Sequence, residues 1–137
     1  MAVALDSNVV IGFLDRSDKF HQAADKAIRE LLASEQLVVS AVTYAEVLTG
    51  ARLGHHDEDV VKGFFSDLIS RTLSVDADVG DAAARIRAGA KTLAMPDALV
   101  AATAELAPEV DLLLTADEGI AKLKALDCPL RLLSPDG

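Results

Sequence analysis

Four acidic residues stand where carboxylates can do chemistry together, although they lie far apart along the chain. Asp6 follows an apolar run near the N-terminus, and Asp117 follows a similar run near the C-terminus. Asp97 lies at a predicted helix start, and Glu46 lies further inside another predicted helix. Carboxylates that meet raise each other's pKa unless a cation compensates for their repulsion. Such oxygen ligands suit Mg²⁺ or Mn²⁺, and sites of this kind usually serve phosphate-ester chemistry.

Each acid, taken alone, also has a simpler interpretation. Asp6, Asp97 and Asp117 could complement the dipole at a helix start, which is worth ~0.3–1 kcal/mol apiece. Glu46 lies six residues after Ser40, the predicted cap of its helix, and therefore about 9 Å along the helix axis. The dipole gives little reason for an acid there, and a lone glutamate would normally face solvent. Only the joint placement of the four acids favours a common site.

The elements that must position these acids alternate between strands and helices. Short apolar runs predict strands covered on both faces, and segments with helical periodicity separate them. This alternation is typical of an α/β fold with a parallel sheet. The predicted strands are residues 3–5, 37–39, 72–75, 112–114 and 130–133.

The predicted helices rest on apolar positions spaced three and four residues apart. Pro96 suits the first turn of one helix. Thr115 and Glu118 have the spacing of a capping box and predict another helix start. The periodic segments are residues 20–32, 61–68, 79–93 and 96–104.

Topology decides whether the four acids can meet. In an open parallel sheet, ligands bind at the carboxyl ends of the strands, beside the following helix N-termini. If the first strand is central and its neighbours are the strands leading to Glu46 and Asp117, all four acids face one edge of the sheet. We therefore expect one acidic site there.

The composition indicates one cytoplasmic domain covering residues 1–137. The hydrophobic fraction is 51% and the charged fraction 26%, which is typical of a globular protein. No apolar stretch reaches the ~18 residues that a bilayer span needs, and the N-terminus lacks the basic segment of a signal peptide. The single cysteine, Cys128, excludes an intramolecular disulfide and is expected to be buried.

The net charge of −9 counts against a nucleic-acid partner, because phosphate neutralisation drives that affinity. It indicates either a solvated acidic surface or several acids neutralised by a divalent cation in one site. Subtracting the four candidate acids still leaves −5, so contact with a nucleic acid would need a local basic patch. The candidate basic residues are Arg16, Lys19, Arg52, Arg85, Arg87 and Lys91.

Four segments together resemble the PIN-domain ribonucleases, and the resemblance spans nearly the whole chain in order. The short form looks most like the VapC-type toxins of bacterial toxin–antitoxin pairs. One departure is that Glu118, Gly119 and Ile120 follow the fourth acid, where the family often has an aromatic residue. The four segments are residues 5–11, 40–50, 95–104 and 113–117.

The resemblance implies an α/β/α sandwich around a parallel, roughly five-stranded sheet. It further implies an endoribonuclease that depends on Mg²⁺ or Mn²⁺, forms a homodimer, and is silenced by an antitoxin whose C-terminal segment enters the active-site groove. Asp6 and Asp97 match the direct metal ligands, and Glu46 and Asp117 would complete or orient the site. The polar residues that match those holding the carboxylates in place are Asn8 and Thr115.

Two other classes of protein fit parts of the pattern. A receiver-type phosphoacceptor domain has a similar length and a metal-binding acid after its first strand. It would also need paired acids after that strand, where Ser7 and Asn8 follow Asp6, and an acid ending the third, which Asp76 matches only in part. The other alternative is a PIN-like domain that binds RNA or a protein partner without cutting.

Overall fold

The computed structural model describes residues 1–124 and 126–135 of the chain. In this part of the chain, strands and helices alternate, and no helix has both the length and the apolar character needed to cross a bilayer. The strands are β1 (Ala2–Leu5), β2 (Gln36–Ser40), β3 (Arg71–Leu73), β4 (Val110–Thr115) and β5 (Leu130–Leu132). The helices are α1 (Ser7–Leu14), α2 (His21–Leu32), α3 (Ala41–Arg52), α4 (Glu58–Leu68), α5 (Ala77–Gly89), α6 (Met95–Leu106) and α7 (Glu118–Ala121).

The five strands form one parallel sheet in the order β3-β2-β1-β4-β5. The central strand is β1, which pairs with β2 on one side and with β4 on the other. This order confirms the predicted five-stranded parallel sheet. This order also meets the condition under which the four acids can meet at one edge, because β2 leads into the helix that carries Glu46 and β4 leads to Asp117.

Helices cover both faces of the sheet, which confirms the predicted α/β/α sandwich. Helices α1 to α4 pack on the face that holds Leu5 and Leu37. Helices α5, α6 and α7 pack on the face that holds Ala4 and Leu113. Successive strand residues alternate between the two clusters, as the side-chain period of two requires. Burial on both faces explains why the strands read as continuous apolar runs.

Polar side chains at the strand ends start several of the helices. The Ser40 hydroxyl accepts the N–H of Val42 at 3.1 Å, so Ser40 caps α3 as expected. Pro96 lies in the first turn of α6, also as expected. The capping box assigned to Thr115 and Glu118 is wrong, because the cap of α7 is Asp117 and Thr115 ends β4.

Helix α5 and strand β3 differ from the predicted segments at their ends, and helix α1 was not predicted. Helix α5 stops at Gly89, and the apolar Leu93 at the end of the periodic segment is buried in the following connection instead. Strand β3 covers only Arg71–Leu73. Helix α1 was not among the periodic segments, because its eight residues are apolar on nearly every side and show no clear period.

Candidate active site

The structure brings the four predicted acids to the carboxyl-end edge of the sheet. Asp6 follows β1 and caps α1, and Asp117 follows β4 and caps α7. Glu46 lies in α3, and Asp97 lies in the first turn of α6. The charge of Asp6 acts on Asp97, and the charges of Asp117 and Glu46 act on Asp6. The four carboxyl groups therefore share one electrostatic environment, although they come from four different elements.

Asp6 is the buried member of this group, with only 1% of its surface exposed. Its Oδ1 accepts the N–H of Ser7 at 2.8 Å, and its Oδ2 accepts the hydroxyl of Thr115 at 2.8 Å. Burial raises the pKa of Asp6, the two hydrogen bonds oppose that rise, and the charges of Asp117 and Glu46 add to it. The two hydrogen bonds thus hold the Asp6 side chain in one orientation. Burial and the neighbouring charges destabilise its ionised form, and a nearby cation would offset that destabilisation.

Thr115 and Asn8 connect β1 and β4 at the point where both strands end. The Thr115 hydroxyl donates to Asp6 and accepts the N–H of Asp117 at 2.9 Å, so one buried side chain contacts both acidic residues. The Asn8 side chain accepts the N–H of Ala116 at 3.1 Å. These contacts fix the two strand ends relative to each other. They fit the supporting role expected of both residues from the sequence.

Asp97 is only partly buried, and its surroundings raise its pKa to about 6. Burial is the largest cause, followed by the charges of Asp117 and Asp6. The carboxyl groups of Asp97 and Asp117 also lie within hydrogen-bonding reach of each other. Two carboxyl groups this close need either a proton or a cation between them.

Glu46 extends from α3 toward the other acids. Desolvation raises its pKa, as does the charge of Asp97, whereas a hydrogen bond from the Ser7 side chain lowers it. Ser7 is a site residue that the sequence reasoning missed. The sequence feature that could have indicated Ser7 is its position directly after Asp6. As the first residue of α1, Ser7 lies at the same edge of the sheet as the acids.

The donor chemistry fits a divalent cation, but three donors are not arranged around a common point. In residues 1–124 and 126–135, no three His, Cys, Asp or Glu side chains are placed so that they could hold a metal ion. The available donors are carboxylate oxygens, which Mg²⁺ and Mn²⁺ prefer. The assignment of Asp6, Glu46, Asp97 and Asp117 as catalytic residues and metal ligands stays a prediction.

Comparison with known proteins agrees with the sequence resemblance. The PIN domain family matches residues 3–126. No curated protein sequence matches the chain. VapBC2 from Rickettsia felis, solved with a DNA fragment from its promoter, is 14% identical, with a TM-score of 0.77 over 98% of this chain and 100% of that chain.

Two further solved structures share the fold. A toxin–antitoxin complex from Klebsiella pneumoniae is 24% identical, with a TM-score of 0.72 over 97% of each chain. VapC20 from Mycobacterium tuberculosis, a toxin that cleaves the sarcin–ricin loop, is 19% identical, with a TM-score of 0.62 over 81% of this chain and 86% of that chain. The family match covers most of the sequence, and the fold agrees with it; this chain belongs to the PIN domain family.

Proposed function

We propose that this chain is a metal-dependent endoribonuclease and the toxin of a toxin–antitoxin pair. The observation that carries the proposal is the shared environment of Asp6, Glu46, Asp97 and Asp117, which raises the pKa of the first three. Such crowding destabilises a protein unless a ligand uses it. A divalent cation and the phosphodiester it binds are the ligands that this donor set suits best.

The side chains of this site have distinct roles in the proposal. Asp6 and Asp97 would bind Mg²⁺ or Mn²⁺ directly, and Glu46 and Asp117 would complete the site or orient water. Bound there, the cation would polarise a phosphoryl oxygen and lower the pKa of a water molecule. Thr115 holds Asp6 in place, so the carboxylate needs no reorganisation when the substrate arrives.

Water attack on phosphorus would break the bond to the 3′ oxygen, which takes up a proton. The fragments would then carry a 5′-phosphate and a 3′-hydroxyl. End-labelling of the cleaved RNA measures these ends directly, and a cyclic phosphate would contradict the mechanism.

The main test is metal-dependent cleavage of total cellular RNA by the purified protein. We expect cleavage with Mn²⁺ or Mg²⁺, none in chelator, and none with Asp6→Asn or Asp97→Asn. Cleavage that survives both substitutions would mean that another site or a contaminant cuts the RNA. Cleavage sites on structured RNAs such as tRNA should be mapped first.

Partners of the proposed toxin follow from its relatives. The similar structures from Rickettsia felis and Klebsiella pneumoniae are toxin–antitoxin assemblies, and VapC20 is a toxin that cleaves the sarcin–ricin loop. We therefore expect an antitoxin, an RNA substrate in the cytoplasm, and a homodimer. Light scattering of the purified chain measures the oligomeric state, and co-purification from the native host detects the antitoxin.

One alternative keeps support from a specific observation. A PIN domain that binds RNA without cutting it is favoured by the lack, in the described residues, of three donors already arranged around a metal. RNA binding without cleavage in Mn²⁺ would establish that alternative. The strand order contradicts the receiver-type alternative. That fold places its third strand next to the first, whereas β3 here lies at the edge of the sheet beyond β2.

A further inference from the structure

A cleft of about 310 Å³ lies between the last turns of α5 and the segment that follows α7. One wall consists of α5 residues and the connection after them, and the other consists of residues 122–124 and 126. The lining combines apolar side chains with three basic ones and includes no carboxylate. The lining residues are Arg85, Ile86, Gly89, Ala90, Lys122, Lys124, Leu123 and Leu126.

This lining is unusual in a protein whose net charge is −9. The larger cleft of about 860 Å³ beside β3 is lined by five carboxylates. The smaller one near His55 and His56 is lined by two. A positive, carboxylate-free cleft on an acidic protein is a local exception, and it is the kind of patch that binding RNA would require here.

The basic side chains of the cleft differ in whether they form ion pairs with carboxylates. Arg85 forms an ion pair with Glu105, which neutralises part of its charge. In the described part of the chain, neither Lys122 nor Lys124 forms an ion pair with a carboxylate. Both lysines are exposed, so their charge is available to an anionic ligand.

Both walls of the cleft lead directly to the acidic site. Asp117 caps α7, and Lys122 follows the last residue of that helix. Because five helical residues rise about 7.5 Å, the backbone of Lys122 lies about that far from Asp117 along the axis of α7. The other wall continues through the connection that contains Leu93 into α6, which carries Asp97.

The connection between the cleft and the site is packed. The position where a Cβ of Gly119 would stand is 3.6 Å from Leu93 Cδ1 and 3.0 Å from Asp117 Oδ1. The Arg87 guanidinium donates to the carbonyl of Lys91 at 2.8 Å, which ties the end of α5 to the connection after it. The cleft is therefore held in a fixed position relative to the acids.

We propose that this cleft binds the backbone of a single-stranded RNA segment next to the bond that the acidic site cuts. Lys122 and Lys124 would each contact a phosphate, and the partly exposed side chains of Leu123 and Leu126 would take a base or sugar face. The proposal rests on the endoribonuclease function. It adds a binding surface that none of the four acids provides.

A simpler interpretation is that the lysines only complement the C-terminal dipoles of α5 and α7. Such a role predicts a small loss of thermal stability on their removal and no effect on RNA. An acidic peptide is the other ligand that this lining suits. The experiment below separates both from the proposal.

The test measures RNA binding in chelator, so that no cleavage occurs. The probe is a fluorescent single-stranded RNA of about 12 nucleotides, within the ~4–16 that such surfaces cover. We expect the Lys122→Gln/Lys124→Gln protein to bind about 10-fold more weakly than wild type. The slope of log K against log salt should fall in magnitude by about 1.4, or ~0.7 for each lost phosphate contact.

The matched control is the Lys26→Gln/Lys62→Gln protein, which removes the same charge from α2 and α4 on the opposite face of the sheet. Thermal unfolding checks that both variants fold. Equal affinity and salt slope in the two variants would overturn the proposal. It would also fail if an oligoglutamate peptide, but not the RNA, bound in a manner dependent on Lys122 and Lys124.

The proposed function and the proposed cleft can fail separately. If wild type cleaves RNA in Mn²⁺ and the Lys122→Gln/Lys124→Gln protein cleaves equally well with unchanged affinity, only the cleft is wrong. If wild type binds RNA through these lysines but never cleaves, the surface stands and the nuclease proposal is wrong.

Discussion

The two halves of the acidic site are built in different ways. On the strand side, Asp6, Thr115 and Asp117 are joined by short hydrogen bonds at the ends of β1 and β4. On the helix side, Glu46 and Asp97 come from α3 and α6, where desolvation and then the charge of Asp97 raise the pKa of Glu46. The strand side is therefore prearranged, whereas the helix side holds groups whose protonation and position a cation would change.

Substitutions on the two sides should therefore differ in their effect on stability, although removal of an acid from either side should impair cleavage. Removing a group from the strand side leaves a buried donor or acceptor without its hydrogen-bond partner, so the remaining site residues lose their fixed positions. Removing a charge from the helix side relieves repulsion, so the free energy of unfolding rises. Four substitutions test this division.

Asp6→Asn should reduce metal-dependent RNA cleavage at least about 100-fold, beyond the 10–100-fold typical of residues that only support a metal ligand. The amide keeps the shape of the side chain but loses the charge. Initial rates on a defined RNA in Mn²⁺ measure the effect. Asp81→Asn, an exposed acid in α5, is the control. An Asp6→Asn protein that cleaves within threefold of wild type would contradict the assignment.

Thr115→Val should reduce cleavage about 10–100-fold, because Asp6 and the N–H of Asp117 both lose a hydrogen-bond partner. Since that hydroxyl lowers the pKa of Asp6, the pH dependence of cleavage should also shift upward. Thr115→Ser keeps the hydroxyl and should restore most of the rate and the original pH profile. Equal rates in the valine and serine proteins would show that the hydroxyl does not position Asp6.

Gly119→Ala should lower cleavage several-fold with little change in stability. The new Cβ would stand 3.0 Å from Asp117 Oδ1, closer than side-chain carbons normally approach, so the carboxylate must move. Gly63→Ala in α4 is the matched control, because nothing lies within 4 Å of its Cβ position. That control should raise the melting temperature, since alanine favours a helix by up to ~1 kcal/mol.

Asp97→Asn should stabilise the protein in chelator above about pH 6. Because the folded-state pKa of Asp97 is raised to about 6, its ionised form weakens the fold. That penalty is absent below about pH 4, grows through pH 6 and is complete above it. Allowing for solvent screening of a partly exposed group, we expect about 1 kcal/mol, or a few degrees in melting temperature.

The measurement is thermal unfolding in chelator between pH 4 and pH 8. Wild type should lose stability relative to Asp97→Asn as the pH rises, and Mn²⁺ should stabilise wild type more than the variant. A lower melting temperature for Asp97→Asn at pH 7 in chelator would show that the four acids do not repel one another.

Much of the fold was predictable from the sequence, because buried parallel strands and amphipathic helices have distinct periods. The position of β1 between β2 and β4 could only be assumed, since pairing joins segments such as Leu5 and Leu114 that are distant along the chain. Thr115 shows the limit of local rules. Its spacing to Glu118 matches a capping box, but its hydroxyl binds Asp6 across the sheet.

The four acids of the site were predictable from the sequence, whereas the residues around them were less so. Strand ends and helix starts indicated Asp6, Asp97 and Asp117, because helix N-termini follow strand ends. Glu46 was indicated by its distance from Ser40, the cap of its helix. The sequence did not indicate the roles of Ser7, Lys122 and Lys124, since the neighbours of these residues depend on how α3, α5 and α7 pack. The functional roles of the acids, and the treatment of residues 1–137 as one domain, stay predictions.

The pairing of β1 with β4 has a consequence for synthesis on the ribosome. The hydrogen bond from Thr115 to Asp6 joins residues 109 positions apart, so it cannot form until the end of β4 has left the exit tunnel. A nascent chain therefore carries Asp6 without Asp117 until that point. Under the proposed function, the translating cell would meet no competent nuclease before β4 has emerged.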